Sequence, residues 1–238
     1  MPATVLEHWH PVTHDLGLIR AALPDVVREL AAWQSSIAIA RTLRTLTTSF
    51  AAALEALAPL SQDKRRTLLV QTTSDWTAYF QNGIAGSDPF PVMSLLAERM
   101  QVLSMRVRST PPDAAFPATI WEVYAPPSQG GAPRLHYRRS LHAANDGGRW
   151  TFGQTGEPFA FEDLAAYERP RKRDRFTCEM LQGYLAHFGV EPFGDAFYVV
   201  SPESPAVLLE RPPLARSQPE FSLEEVRAGV PWRRRPTR

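Results

Sequence analysis

The chain has 238 residues, 44% hydrophobic and 10% aromatic, which suits one large domain or one domain with an appendage and excludes a wholly disordered protein. A formal net charge of +1 supplies no global field to steer the chain onto nucleic acid or an acidic membrane. Cys178 is the only cysteine, which excludes an internal disulfide and points to a reducing, cytoplasmic setting.

In chain order, Met1 to Trp9 carry neither a basic n-region nor an apolar h-region, so no secretory signal is expected. No run of about 18 uncharged apolar residues occurs, so no membrane partner is expected either. Leu16, Ile19, Leu23, Val26, Val27 and Leu30 share one 3.6-period face and predict helix over 14–34, with Pro24 kinking it or opening a second helix. The β-branched stretch 36–47 favours a strand, and the Ala- and Leu-rich stretch 48–58 a helix. Leu68 to Thr72 and Trp76 to Phe80 read as buried strands. Asn82-Gly83 is a turn signal, and Asp88 is positioned to cap a helix over 91–101.

Strands are predicted over 103–109 and 119–125. A further pair, 134–142 and 149–153, is joined by Asn145-Asp146-Gly147-Gly148, a hairpin signal of type I′. A short helix is expected over 161–167 and a longer one over 174–188, ended by Gly189, with a last strand at 196–200. From residue 201 the chain holds seven prolines in 38 residues, with one short helix opened by the capping box Ser222-Leu223-Glu224-Glu225. The expected architecture is α+β: a single domain over 1–200 built on a mostly antiparallel sheet with helices packed on one face, then a Pro-rich C-terminal extension over 201–238.

Several residue groups carry candidate chemistry. His8, His10 and His14 could ligate a metal, since residues at i and i+2 on a strand share a side. The run His8-Trp9-His10 to His14-Asp15 resembles the HxHxDH motif of metallo-β-lactamase-like hydrolases. It departs from that motif in placing the acid after the third histidine, with only seven residues before His8 where that fold has strands. Cys178 and His187 lie nine residues apart on one predicted helix, about 13.5 Å by rise per residue, so they do not form a thiol–base pair.

Arg169, Arg171, Lys172, Arg173 and Arg175 form a basic run suited to an acidic partner surface, although 24 arginines against two lysines suggest a general arginine bias. His136, Arg138 and Trp121 are candidates to line a ligand groove beside the 145–148 turn, with Arg139 on the opposite face beside Tyr137. Asp75 with Trp76, Tyr79 and Phe80 fits core packing better than sugar or cation binding. Dinucleotide, phosphate-loop and nucleophile-elbow signatures are absent from the sequence, as is any Cys-x-x-Cys pair.

No cofactor is implied, and nucleic acid is disfavoured because no recognition motif accompanies the basic run. The order hairpin, Glu157-Pro158-Phe159, two helices and short aromatic strand is similar to small immunity proteins of toxin systems, a likeness of architecture without a motif. The lack of catalytic signatures, the dense aromatic framework and the C-terminal tail point to a non-enzymatic cytoplasmic module of immunity or accessory type that binds and blocks another protein, such as a toxin. A pI near 8 departs from the acidic character common among nuclease-immunity proteins. The alternatives are a metal-dependent or small-molecule-binding enzyme using the N-terminal histidines, and a nucleic-acid accessory protein.

Overall fold

Leu68-Leu69-Val70 and Ala78-Tyr79-Phe80 are apolar at successive positions, so strands made from them need cover on both faces. The computed structural model, which describes residues 4–114, 116–126, 137–213, 216 and 218–233, gives them that cover. The helices are α1 (Val5–His8), α2 (Leu23–Ser36), α3 (Phe50–Glu55), α4 (Phe90–Met100), α5 (Cys178–Ala186), α6 (Leu223–Arg227) and α7 (Val230–Arg233). The strands are β1 (Asp15–Ile19), β2 (Thr42–Leu46), β3 (Leu60–Ser61), β4 (Arg66–Thr72), β5 (Thr77–Gln81), β6 (Ser104–Ser109), β7 (Ala118–Tyr124), β8 (Tyr137–Asn145), β9 (Trp150–Gly156), β10 (Tyr198–Val199), β11 (Ala206–Glu210) and β12 (Glu220–Phe221). Ten strands form one sheet in the order β2-β11-β4-β5-β1-β6-β7-β8-β9, with β10 also paired to β4, and every pairing is antiparallel. Strands β3 and β12 make a separate two-stranded ribbon.

The antiparallel α+β expectation therefore holds, but the helices are not confined to one face. Leu69, Tyr79, Val207 and Leu209 face α2 and α4, meeting Val26, Leu30, Met93 and Leu96. Leu68, Val70, Phe80 and Trp121 point the other way, toward α3, α5 and α6. The cause is the continuous apolar composition of the central strands, since one-sided burial would leave half of these side chains in water.

The helical spacing that predicts a helix from residue 14 is coincidental. Asp15–Ile19 is β1, paired to β5 and β6 and buried at all five positions. Gly17 sits where α4 crosses closest, and a Cβ there would lie 2.6 Å from Met93 Sδ. Helix α2 begins only at Leu23, with Pro24 in its first turn, where its missing N–H costs nothing. Asp88 does not cap α4. Pro89 holds the N-cap position, while Asp88 has φ 43° and pairs with Lys64 at 2.7 Å.

The β8–β9 hairpin forms as expected, but through a different turn. The Asn145 side chain accepts from the backbone N–H groups of Gly147 and Gly148 at 3.0 and 2.8 Å, and within the turn only Gly147 has a positive φ. Residues 206–210, which fall within the Pro-rich extension, form strand β11 inside the main sheet between β2 and β4. The Ser222 capping box opens α6, and Gly229 follows it with φ 75°.

Candidate ligand groove

Thr4 and Glu7 form a capping box on α1, and the Asp195 carboxylate accepts from the Val5 and Leu6 N–H groups at 2.8 and 3.1 Å. This fixes the start of the chain against the 195–197 turn. A cis His10–Pro11 bond and the one-turn helix Val12–His14 then lead into β1. The Thr13 hydroxyl donates to the Leu6 carbonyl at 2.6 Å, which holds that turn on α1. As a result the His10 and His14 rings meet at a tilt of 38°, their centroids 3.7 Å apart. His8 is exposed and edges the Trp9 ring instead, so the three histidines do not converge. Among the described residues no group of three or more His, Cys, Asp or Glu side chains is arranged to hold a metal ion.

The histidine pair floors a groove of about 850 Å³. Ile84, Ala85, Thr110, Pro111, Asp113, Ala114 and Phe116 line it as well, with Val226 and Arg227 from α6 and Trp232 from α7. Phe116 and Trp232 are 58% and 55% exposed, unusual for side chains of their size. Burial, then the neighbouring His10 and Arg108, push the His14 pKa down to about 3; burial also lowers that of His10. His14 Nε2 is buried without a hydrogen-bond partner. A smaller cavity of about 290 Å³ is also lined by His10 and His14, together with Ser109, Cys178 and Gln182. Cys178 opens α5 there and accepts from the Ser109 hydroxyl at 3.2 Å.

Arg108 enters the groove from β6. Its neighbour on the same face of that strand, Arg106, grips both oxygens of the fully buried Asp15 at 2.9 and 2.7 Å. Arg106 also lies within 3.8 Å of Asp88 and 3.6 Å of Glu122, whose carboxylate accepts from the Tyr124 hydroxyl. Burial works against the Arg106 charge, but Asp15 overcomes it and holds the guanidinium pKa above its usual value. Burial raises that of Glu122. Arg108 keeps a single contact of 3.4 Å to Asp15, and its Nε is buried without a partner. Neither Arg106 nor Arg108 stands out as a site residue in the sequence. The signal was the alternation Met105-Arg106-Val107-Arg108, which puts two arginines on one face of a buried strand.

The other predicted site residues lie elsewhere. Trp121 is fully buried among Phe159, Phe161, Tyr184 and Phe188 and lines no surface. Arg138 lies over Phe159 at 4.6 Å and donates to the Glu157 carbonyl; His136 is outside the described residues. The pairing slips between Val123 and Tyr124, so Tyr124 faces Tyr137 while Val123 faces Arg139. Arg138 is the extra residue, and it sends Tyr137 and Arg139 to opposite faces rather than the same one.

Arg139 is 1% exposed and clamps Glu162 with contacts of 2.6 to 3.1 Å. It donates also to the Gly156 carbonyl and to Gln154, and Glu162 accepts in addition from the Phe159 N–H and the Tyr167 hydroxyl.

In the basic run, Arg169 donates to the Asp174 carbonyl, Arg175 to the Arg169 carbonyl, and Arg173 lies 3.5 Å from Asp174. Arg171 and Lys172 make no ion pair among the described residues. The run rests beside edge strand β9, with the Arg175 guanidinium over Phe152. No helix among the described residues is long and apolar enough to cross a membrane. Compared with protein-family models, with curated proteins and with solved structures, the chain matches none.

Proposed function

We propose that this chain is a non-enzymatic binding module that captures and blocks a partner protein, in an immunity-type or accessory role, and that the partner docks in the groove above His10 and His14. One observation carries the proposal: two large aromatic side chains, each more than half exposed, border the same groove and share it with an incompletely paired arginine. Tryptophan and arginine are the side chains that most often anchor protein interfaces, and isolated exposed apolar residues would need no such explanation. The single thiol supports a cytoplasmic setting.

A second use of the groove is favoured by its size alone. About 850 Å³ lies within the range of small-molecule sites, and a small organic ligand would meet the same His14 and Arg108 atoms.

Co-purification tests the proposal, comparing the wild-type chain, Phe116→Ala/Trp232→Ala and Arg171→Glu/Arg173→Glu. A stoichiometric protein partner held by the wild type and by the Arg171/Arg173 variant, but lost from the groove variant, is the expected result. Loss only from the Arg171/Arg173 variant moves the interface to the basic run. Retention by both variants, or recovery of no protein, overturns the proposal.

A further inference from the structure

We infer that the groove recognises an acidic peptide segment, seating a carboxylate between Arg108 and His14 and an adjoining apolar side chain between Phe116 and Trp232. This rests on the binding-module function proposed above and specifies the chemistry of the partner.

Charge bookkeeping comes first. Asp15 is the carboxylate nearest Arg108, and Arg106 already occupies both of its oxygens. What remains for Arg108 is one contact at 3.4 Å, long for a charge-assisted hydrogen bond. Arg227 also lines the groove, is exposed and makes no ion pair among the described residues, and Asp113 is the only acid among the described residues that line it. Two arginines and one carboxylate thus line the cavity.

Hydrogen bonding points the same way. Arg108 Nε and His14 Nε2 are both buried without partners. A guanidinium without a full set of partners is unfavourable, and a carboxylate meeting the part-exposed Arg108 side chain supplies one. His14 is neutral at physiological pH. Protonated at Nε2 it donates to the second oxygen, and its lack of charge leaves Arg108 as the main electrostatic determinant.

The apolar walls separate a peptide from a free anion. Phe116 and Trp232 offer a small carboxylate nothing to bind, whereas a Phe or Leu beside a Glu fills the space between them.

The test uses the full chain and three pools of acetylated, amidated nonapeptides, centred on Glu-Phe-Glu, Gln-Phe-Gln or Lys-Phe-Lys. Binding is read from NMR shifts of the Trp232 indole and the His14 ring. The Glu-Phe-Glu pool is expected to bind at least tenfold more tightly than the Gln-Phe-Gln pool. Its affinity should fall with added salt and drop about tenfold in Arg108→Gln. Trp232→Ala, at an exposed position, should weaken binding as well and covers the case in which Arg108→Gln fails to fold. Equal binding of the Glu and Gln pools, preference for the Lys pool, or glutarate binding as tightly as peptide overturns the inference. Binding of no pool also overturns it, while co-purification of a partner through the groove would still stand as a separate result.

Discussion

Two arginine networks sit on opposite faces of the same sheet, and they are built to different degrees of completion. Around Arg139 every charge has a partner: Glu162 takes the guanidinium side-on, and backbone carbonyls, Gln154, Tyr167 and the Phe159 N–H complete the set. Around Arg106 and Arg108 one carboxylate is shared by two guanidinium groups, and Arg108, which lines a cavity, is left with a buried, unpaired N–H. A saturated network ties elements together; here it fastens the Glu162 segment to β8 and β9. An unsaturated one retains capacity for something from outside.

The largest expected effect falls on the saturated network. Glu162→Gln leaves the Arg139 charge buried without an anion and should cost about 3–5 kcal/mol in urea denaturation. A loss below 1 kcal/mol would show that this network is no more closed than the other. Asp15→Asn should cost about 2–3 kcal/mol, less because Arg106 retains partial contact with Glu122, Asp88 and water.

A pH series sharpens the contrast. The folded pKa of His14, about 3, lies below the ordinary histidine value of about 6.5, so the unfolded chain binds the proton first as pH falls. Stability from this group is therefore complete above about pH 6.5 and declines toward pH 3, with a slope of at most about 1.4 kcal/mol per pH unit. The groups facing His14 are His10 and Arg108, and His10 titrates in the same direction. His14→Gln should flatten the slope; an unchanged slope would remove the histidine pair from this account.

Arg108→Gln should move stability by no more than about 0.5 kcal/mol, since the side chain has only one long contact to lose. A loss as large as that of Glu162→Gln would make both networks structural and leave the groove without its anchor.

Local signals were the legible part of this fold. Asn145 to Gly148 announced the hairpin, Ser222 and Glu225 announced α6, and the stripe from Phe176 to Phe188 announced α5. Each depends on side chains acting within a few residues of themselves. What escaped depends on distant partners. Asp15–Ile19 has helical spacing and becomes a strand because β5 and β6 lie on either side of it. Ala206-Val207-Leu208-Leu209 is a short apolar run in a Pro-rich stretch, and nothing near it reveals that β2 and β4 flank it.

The candidate site was half legible for the same reason. His10 and His14 were singled out and do meet, but as a tilted ring pair without His8. Arg108 was invisible because its importance comes from what Arg106 takes away. Arg139 was expected to share a face with Tyr137, and a one-residue slip in pairing, which carries no sequence signature, put the two on opposite faces.

The position of β11 also sets an order on biosynthesis. Thr42 and Glu210 are 168 residues apart, yet they lie side by side in neighbouring strands. At typical ribosome speeds about 10–30 s separate their appearance. Among the described residues, β2 lacks its only partner strand through that interval, and β4 has no neighbour on that side but the two residues of β10. A nascent chain halted before Ala206 would expose the apolar edge of β4, a ready template for pairing with other chains, and would be an early client for chaperones.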